Sequence, residues 1–405
     1  MDKKPEKLVP EVRFKGFTDD WEQHKLGEVA ERILRKNSDL QSLLPLTISA
    51  QDGLVDQTIY FNKQVASKQL KNYLLLYNGD FAYNKSYSVG YPYGAIKRLD
   101  KYKQGVLSTL YIAFKPTNIN SDFLQHYYDT DKWYREIYRN AAEGARNHEL
   151  LNVSANDFFN SKLITPSDND EQLKIAKIIN LFNRLITLQQ RKLEQLNLLQ
   201  KYVKEKTLPS QKKLPKLRFL NTPYNTYKFS ELFKKSTKKN DGQILQNHVI
   251  SVASMRWGKL PKSSSEAYMK TYFIFNKGDI AYEGNRSKRY SFGRFVANDL
   301  GNGIVSHVFS VFNSKINFNL EFLKNYINSE QVMRDPLRMS TSRTTMMTNL
   351  VLKDIAKQTL MIPSKNEQDL LGSLYKITQS MIELNEKQQQ ELIYLKKYLL
   401  QKLFI

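Results

Sequence analysis

The chain has 405 residues, 62 Lys and Arg against 40 Asp and Glu, a formal net charge of +22 and 41% hydrophobic residues. That apolar content excludes a disordered chain, and so large a positive surplus points to a polyanionic partner, nucleic acid first. Cysteine is absent, which excludes disulfides and thiolate metal sites.

The first residues, Met-Asp-Lys-Lys-Pro-Glu-Lys-Leu, lack the apolar core of a signal peptide, and no run approaches a membrane span. The expected location is the cytoplasm. Residues 10–14, Pro-Glu-Val-Arg-Phe, then Trp21 and Lys25-Leu26-Gly27-Glu28-Val29, open a mixed segment. Strands are predicted at 73–77, 81–83, 106–114 and 163–165, where apolar, β-branched and aromatic residues cluster between Gly, Asn and Asp. Asn78-Gly79-Asp80 reads as a turn in which Gly supplies a positive φ and Asp caps the turn. Pro166 and Glu171-Gln172 lead into a helix predicted at about 171–208. Its stripe is Ile178, Phe182, Leu185, Leu196, Leu199 and Val203, widened by Ile179, Ile186 and Leu193 and interrupted by Gln189 and Lys192. Lys204, Lys206, Pro209, Gln211, Lys212, Lys213 and Pro215 make a basic, Pro-punctuated linker.

The same order then begins again. Residues 215–219 read Pro-Lys-Leu-Arg-Phe, and Lys228-Phe229-Ser230-Glu231-Leu232 repeats residues 25–29. Tyr227 stands where the first half has Trp21, with a shorter spacing, and Ser230 replaces Gly27. Strands are predicted at 272–275, 280–282, 304–312 and 360–362, with the turn Asn276-Lys277-Gly278-Asp279 between the first two. Pro363 and Glu367-Gln368 precede a second helix at about 367–404, with Leu374, Met381, Leu392, Leu395 and Leu399 on its stripe and Asn385 and Gln388 interrupting it. The chain is therefore a duplicated α+β protein. Its expected parts are globular domains at 1–167 and 209–364, each followed by a helical spacer, at 168–208 and 365–405. The two helices are expected to pair as an antiparallel coiled coil, since their stripes are copies. A helix of about 36 residues spans about 54 Å, against about 34–36 Å between major-groove half-sites on one face of DNA.

Catalytic patterns are missing. There is no phosphate loop, dinucleotide fingerprint, H-E-x-x-H or G-x-S-x-G, and the five His (His24, His126, His148, His248, His307) have no ligand spacing. Asp80 and Asp279 are the best paired carboxylates, and they read better as turn caps than as catalytic acids. What the chain offers instead is cations and aromatics mixed in turn-rich segments. In the first half Lys85, Tyr87, Tyr91, Tyr93, Lys97 and Arg98 surround Gly90 and Gly94. In the second, Arg256, Trp257, Lys259, Lys262, Arg286, Lys288, Arg289, Tyr290 and Arg294 surround Gly258, Gly284 and Gly293. Arg and Lys pair with phosphates and guanine edges, and a Tyr hydroxyl donates to phosphate. The competing reading is a solvated basic face. A second paired feature sets Arg146, Asn147 and His148 against Arg343, Thr344 and Thr345. Each Arg suits bidentate readout of guanine or phosphate, or an ion pair with a nearby carboxylate. The frames match while the flanking residues differ, as two half-sites of different sequence would require.

Two diverged globular domains, each followed by a similar long helix, resemble the specificity subunit of a Type I restriction–modification system. The resemblance rests on Trp21 with Lys25-Leu26-Gly27-Glu28, on the Gly79-Asp80 and Gly278-Asp279 turns, and on the Pro166 to Gln172 and Pro363 to Gln368 helix starts. It implies two target-recognition domains on an antiparallel helix pair, each reading one half of a bipartite site in double-stranded DNA, with helix length setting the unread gap. It also implies no catalytic activity and no cofactor in this chain. S-adenosylmethionine, ATP and Mg would belong to the partners, namely two modification (methyltransferase) subunits and two restriction subunits; no membrane is involved. The alternatives are a non-catalytic coiled-coil scaffold or architectural nucleic-acid-binding protein, and an enzyme with scattered carboxylates.

Overall fold

The computed structural model describes residues 8–63, 70–140, 146–147, 150–210, 213–242, 244, 246–258, 266–343 and 347–405. Contacts divide the chain into two units, Met1–Leu188 with Gln388–Ile405, and Gln189–Lys387.

In the first unit, a four-stranded antiparallel sheet runs in the order Ala30–Arg32, Ile112–Pro116, Phe81–Asn84, Ala95–Arg98. A second sheet runs Gly53–Asp56, Pro45–Ser49, Gln104–Leu107, Leu74–Tyr77, with its middle pair parallel. Strand side chains alternate in direction, and here the alternation separates large from small. Phe81, Tyr83, Ile112 and Phe114 enter an aromatic core with Trp21, Phe123, Tyr128 and Phe158. Ala82, Ala95 and Ala113 face the second core, with Leu46, Leu76 and Leu107. Phe81 and Phe114 stack at 5.3 Å, and Tyr83 stacks on Phe158 at 4.8 Å. Each such buried ring contributes about 1.5–3 kcal/mol by leaving water.

The second unit repeats the plan. Phe233–Lys235, Ser310–Ser314, Ile280–Glu283 and Arg294–Ala297 form its four-stranded sheet. Ile280, Tyr282, Phe295 and Phe312 fill one core while Ala281, Val296 and Val311 face another. In both units a short pair ties the domain's beginning to its end: Glu22–Lys25 with Lys162–Thr165, and Asn225–Lys228 with Thr359–Ile362.

The strands predicted at 106–114 and 304–312 are each two strands, Gln104–Leu107 then Ile112–Pro116, and Gly303–Val305 then Ser310–Ser314. Ser108 and Ser306 break them. The main-chain amide of Tyr111 donates to the Ser108 carbonyl at 3.2 Å, and that of Phe309 to Ser306 at 3.1 Å. These turns carry the chain from one sheet to another, which a hydropathy reading cannot see, because the turn apices are apolar. Leu110 is 77% exposed and Val308 65%. The two glycine turns hold as expected. Gly79 has φ +91° and Gly278 φ +90°. The carboxylates of Asp80 and Asp279 accept the Tyr77 and Asn276 amides at 2.7 and 2.8 Å, and Asp80 also pairs with Arg35. Burial pushes both carboxyls up, against the opposing pull of those donors.

The long helices span Asn169–Thr207 and Lys365–Lys402, starting about two residues before the expected positions. Asp168 caps the first, its carboxylate accepting the Asp170 amide at 2.7 Å, and the Ser364 hydroxyl accepts the Glu367 amide at 3.4 Å in the second. The Glu-Gln pairs do the same job twice. Gln172 donates to the Pro166 carbonyl at 2.9 Å and accepts the Asn120 amide at 2.9 Å. Gln368 donates to Pro363 at 3.1 Å and accepts the Asn319 amide at 3.1 Å. Buried Glu171 takes a bidentate pair from Arg13 at 2.7 and 2.8 Å. Buried Glu367 accepts the Phe219 and Leu220 amides at 2.9 and 2.7 Å.

Within the second unit the helices run antiparallel. Gln189 bonds Asn385 at 2.8 Å, Gln200 bonds Gln379 at 2.9 Å, and Thr207 meets Tyr375 at 2.7 Å, partner numbers falling as helix numbers rise. In the first unit Leu403 and Phe404, from the chain's end, join the core containing Ile175 and Ile179. The less exposed positions on the first helix are Ile175, Ile179, Phe182, Ile186, Gln189, Leu193, Leu196, Gln200, Val203 and Thr207, alternating steps of four and three. This heptad corrects the expected stripe. Leu185 and Leu199, and Met381 and Leu395 in the second helix, lie on the open side, and so do Lys192 and Gln388. The apolar band is wider than the seam, so composition alone did not locate the seam within it. Among the described residues no helix is long and apolar enough to cross a membrane.

Candidate nucleic-acid interface

Both candidate segments of each half meet at one place, the end of a central strand. In the first unit strand Phe81–Asn84 runs into the loop carrying Lys85, Tyr87 and Tyr91. The Leu151 amide donates to the Lys85 carbonyl at 3.1 Å, docking the hairpin of Arg146–Asn147 and Leu150–Leu151 on that loop. In the second unit the Thr348 amide and hydroxyl donate to the Gly284 carbonyl at 2.9 and 3.0 Å. That docks the hairpin of Thr341–Arg343 and Thr348–Leu350 beside residues 285–290. A Cβ on Gly284 would lie 2.2 Å from the Thr348 carbonyl oxygen, so only glycine allows this approach.

The far ends of the loops are anchored alike. The Tyr83 hydroxyl donates to the Tyr93 carbonyl and the Tyr282 hydroxyl to the Phe292 carbonyl, both at 2.8 Å. Burial pushes both phenols up, so they remain protonated donors at neutral pH. Gly94 and Gly293 follow with φ of +80° and +73°, each too close to the strand's last carbonyl to carry a side chain.

The frames match, but the side chains on them differ in kind. In the first unit Lys85, Lys97 and Arg98, the expected cations whose side chains are described, are engaged. Arg98 pairs with Asp100 at 2.7 Å and Asp122 at 2.6 Å and bonds Ser121 at 2.9 Å. Asp122 in turn accepts from Asn180 of the first long helix at 3.1 Å. Lys97 pairs with Asp129 at 3.1 Å, and the Lys85 ammonium donates to the Val153 carbonyl at 3.3 Å. Tyr93 packs on Tyr134 at 5.1 Å. Arg98 is thus a strut between sheet and helices. Arg98→Ala is expected to lower stability by about 1–2 kcal/mol, limited by solvent screening of its half-exposed partners; thermal unfolding of the variant checks this, and an unchanged melting temperature would show that the strut bears no load.

In the second unit the cations are displayed. Arg256, Lys288, Arg289 and Arg343 are exposed and have no carboxylate partner among the described residues, and Arg286 is exposed as well. The Arg289 and Arg294 guanidinium groups lie 5.1 and 5.2 Å from the centre of the Tyr290 ring, whose hydroxyl donates to Asn328 at 2.7 Å. Arg294 is held by Glu283 at 2.6 Å and the Ala253 carbonyl at 2.7 Å, so it positions the ring rather than facing outward. Below it an open cleft of about 900 Å³ is lined by Lys201, Lys204 and Lys324 but also by Glu321, Glu330 and Glu383, so it has no single sign. His148, Lys259, Lys262, Thr344 and Thr345 lie outside the described residues, and of Arg146 and Asn147 only the main chain is described. Sequence reasoning passed over Ile59, Tyr60, Phe61 and Val89, which are 77%, 51%, 44% and 88% exposed. The apolar triplet Ile59-Tyr60-Phe61, just after the capping residue Asp56, was the signal available. Among the described residues no three metal-ligating side chains converge.

No protein-family model and no curated protein compared with the chain matches it. Solved structures do. The HsdS subunit from Thermoanaerobacter tengcongensis superposes with a TM-score of 0.52 at 17% identity over 99% of this chain and 98% of that one. The Type I restriction–modification S subunit from M. genitalium gives 0.55 at 13% identity over 98% and 99%. A chain from a structure concerned with complex assembly and conformational transition of the type I R-M system gives 0.54 at 14% identity, covering 99% of each. Over its whole length, the chain has the fold of the Type I restriction–modification S subunits.

Proposed function

We propose that this chain is the DNA-specificity subunit of a Type I restriction–modification system, with one target-recognition domain in 1–167 and another in 209–364, each reading one half of an asymmetric, bipartite site. The observation that carries the reading is the docking of two loop segments on one strand end in each unit, through Lys85 and Leu151 and through Gly284 and Thr348, in matching frames with unlike side chains. A scaffold has no reason to keep the frame and vary what it displays. The net charge of +22 supplies the sequence-independent attraction to phosphates on which such reading is built. The chain itself is non-catalytic in this reading. Methylation and cleavage, with their S-adenosylmethionine, ATP and Mg, fall to two modification and two restriction subunits in the cytoplasm.

The helices support the paired partners. Leu181, Leu185, Leu188, Leu198, Leu199 and Tyr202 are exposed on the first, and Ile377, Met381, Leu384, Tyr394, Leu395 and Tyr398 hold the corresponding exposed places on the second. Exposed apolar residues in contiguous stripes mark protein contact, and two equal stripes suit two copies of one partner.

The test is a genome-wide map of methylated adenines in cells with and without this chain. One gapped, asymmetric motif is expected to vanish on deletion. A map that does not change removes the specificity reading and leaves the architectural one.

A further inference from the structure

The two candidate reading faces differ in physical kind. In the first unit the short helix Gln57–Phe61, capped by Asp56 accepting the Thr58 amide at 2.8 Å, projects Ile59, Tyr60 and Phe61 into solvent. Tyr60 joins Gln51, Asp52, Tyr87, Val89 and Tyr91 around an open cleft of about 360 Å³, contiguous with the docked loop, and Ile59 stands exposed one residue before Tyr60, outside the cleft lining. Lys97 and Arg98 beside it are neutralised by Asp129, Asp100 and Asp122. Lys63 next to Phe61 is the nearest exposed cation among the described residues of that helix and its flanks. In the second unit the hairpin Ile250–Ser251 with Arg256–Trp257, the counterpart of Pro45–Ser49 with Gly53–Asp56, carries Arg256, and the loop carries Lys288 and Arg289, all exposed; residues 259–265, which follow it, lie outside the described residues.

We propose, resting on the half-site reading above, that the first unit recognises its half of the site by apolar contact, with Ile59, Tyr60 and Val89 against the 5-methyl group of a thymine, while the second depends on cations at phosphates and guanine. A thymine methyl is the one apolar group a base pair shows in the major groove, and apolar side chains are its natural partner. Contact with it releases no counterions, so it adds no salt dependence; each cation placed on a phosphate does. One continuous site is thereby read by two mechanisms that respond differently to ionic strength.

The experiment uses the full chain assembled with its modification subunits and a duplex carrying the motif taken from the methylation map. Thymines in both halves are replaced singly by deoxyuridine, which lacks only the methyl group, and affinity is measured across a salt series. The half whose bases change when residues 1–165 are exchanged for those of an S subunit of different specificity is the first unit's half. At least one replacement in the first unit's half is expected to weaken binding about fourfold, the worth of one buried methyl, with the slope of log K against log salt preserved. Ile59→Ser with Tyr60→Ser should erase the difference between thymine and uracil, and Tyr60→Phe should keep it. Arg256→Ala and Lys288→Ala should each reduce the slope by about 0.9 per lost phosphate contact and leave thymine discrimination intact. Equal binding of thymine and uracil throughout the first half overturns the proposal, as does a shallower slope in the Ile59/Tyr60 variant. If no substitution in either unit alters DNA binding, the half-site reading itself fails. The deoxyuridine series on the unmodified protein decides the matter even if the serine variants do not fold.

Discussion

If the proposed reading holds, replacing residues 1–165 with the corresponding part of an S subunit of known specificity is expected to convert one half of the methylated motif to the donor's and leave the other half untouched. The strand pair Glu22–Lys25 with Lys162–Thr165 brings the start and end of that segment together, so the exchange cuts the chain where it already closes on itself. Both loops that meet at Lys85 travel with it, and neither of those meeting at Gly284 does. The effect is all-or-none on identity of bases rather than a graded loss. Long-read sequencing for methyladenine gives the outcome directly, and alteration of both halves would refute independent readers.

Glu171→Ala is the second large effect. Its carboxylate is 1% exposed and holds the Arg13 guanidinium by two bonds of 2.7 and 2.8 Å. Arg13 is held above its ordinary value by that bond, against the opposing cost of burial. Removing the acid leaves a partly exposed guanidinium that still has Asp19 and Asp20 nearby, a loss of about 1–3 kcal/mol, or roughly 5 °C in melting temperature for a unit of this size. Glu367→Ala strips the acceptor from two main-chain amides in the other unit. Hydrogen exchange separates them: protection should fall in residues 8–165 for the first variant and in 213–364 for the second. Equal loss across the chain for either would show that the clamp does not act within its own unit.

Much of the scaffold was legible because duplication repeats it. Gly79-Asp80 and Gly278-Asp279 are turns, and the Glu-Gln pairs mark helix starts, because each depends on local chemistry that a short segment already contains. The break at Ser108 and Ser306 was not legible. Whether an apolar run continues in one sheet or crosses to another is decided by packing against Leu46 and Leu76 from distant segments. The heptad seam was displaced for a related reason: each helix carries a second apolar stripe, and only packing shows which is inside. In the sequence Arg98 and Arg294 are indistinguishable from Arg256 and Arg343, since charge density says nothing about the carboxylates of Asp122 and Glu283 that the fold brings to them. The apolar face at Ile59 and Tyr60 was passed over because a search guided by charge does not look for it.

The first unit is assembled from Met1–Leu188 and Gln388–Ile405. Phe404 packs on Phe123 at 5.2 Å and Tyr127 at 6.4 Å, and the Val12 amide donates to the Lys402 carbonyl at 3.0 Å. During synthesis, therefore, the part of the protein made first is the last to be finished. Its core lacks part of its filling while the ribosome makes the whole second unit, and it closes only when residues 388–405 have been made. A stop codon just before residue 388 would spare the younger unit and cripple the older one, so that a lesion late in the gene damages the part of the molecule made first.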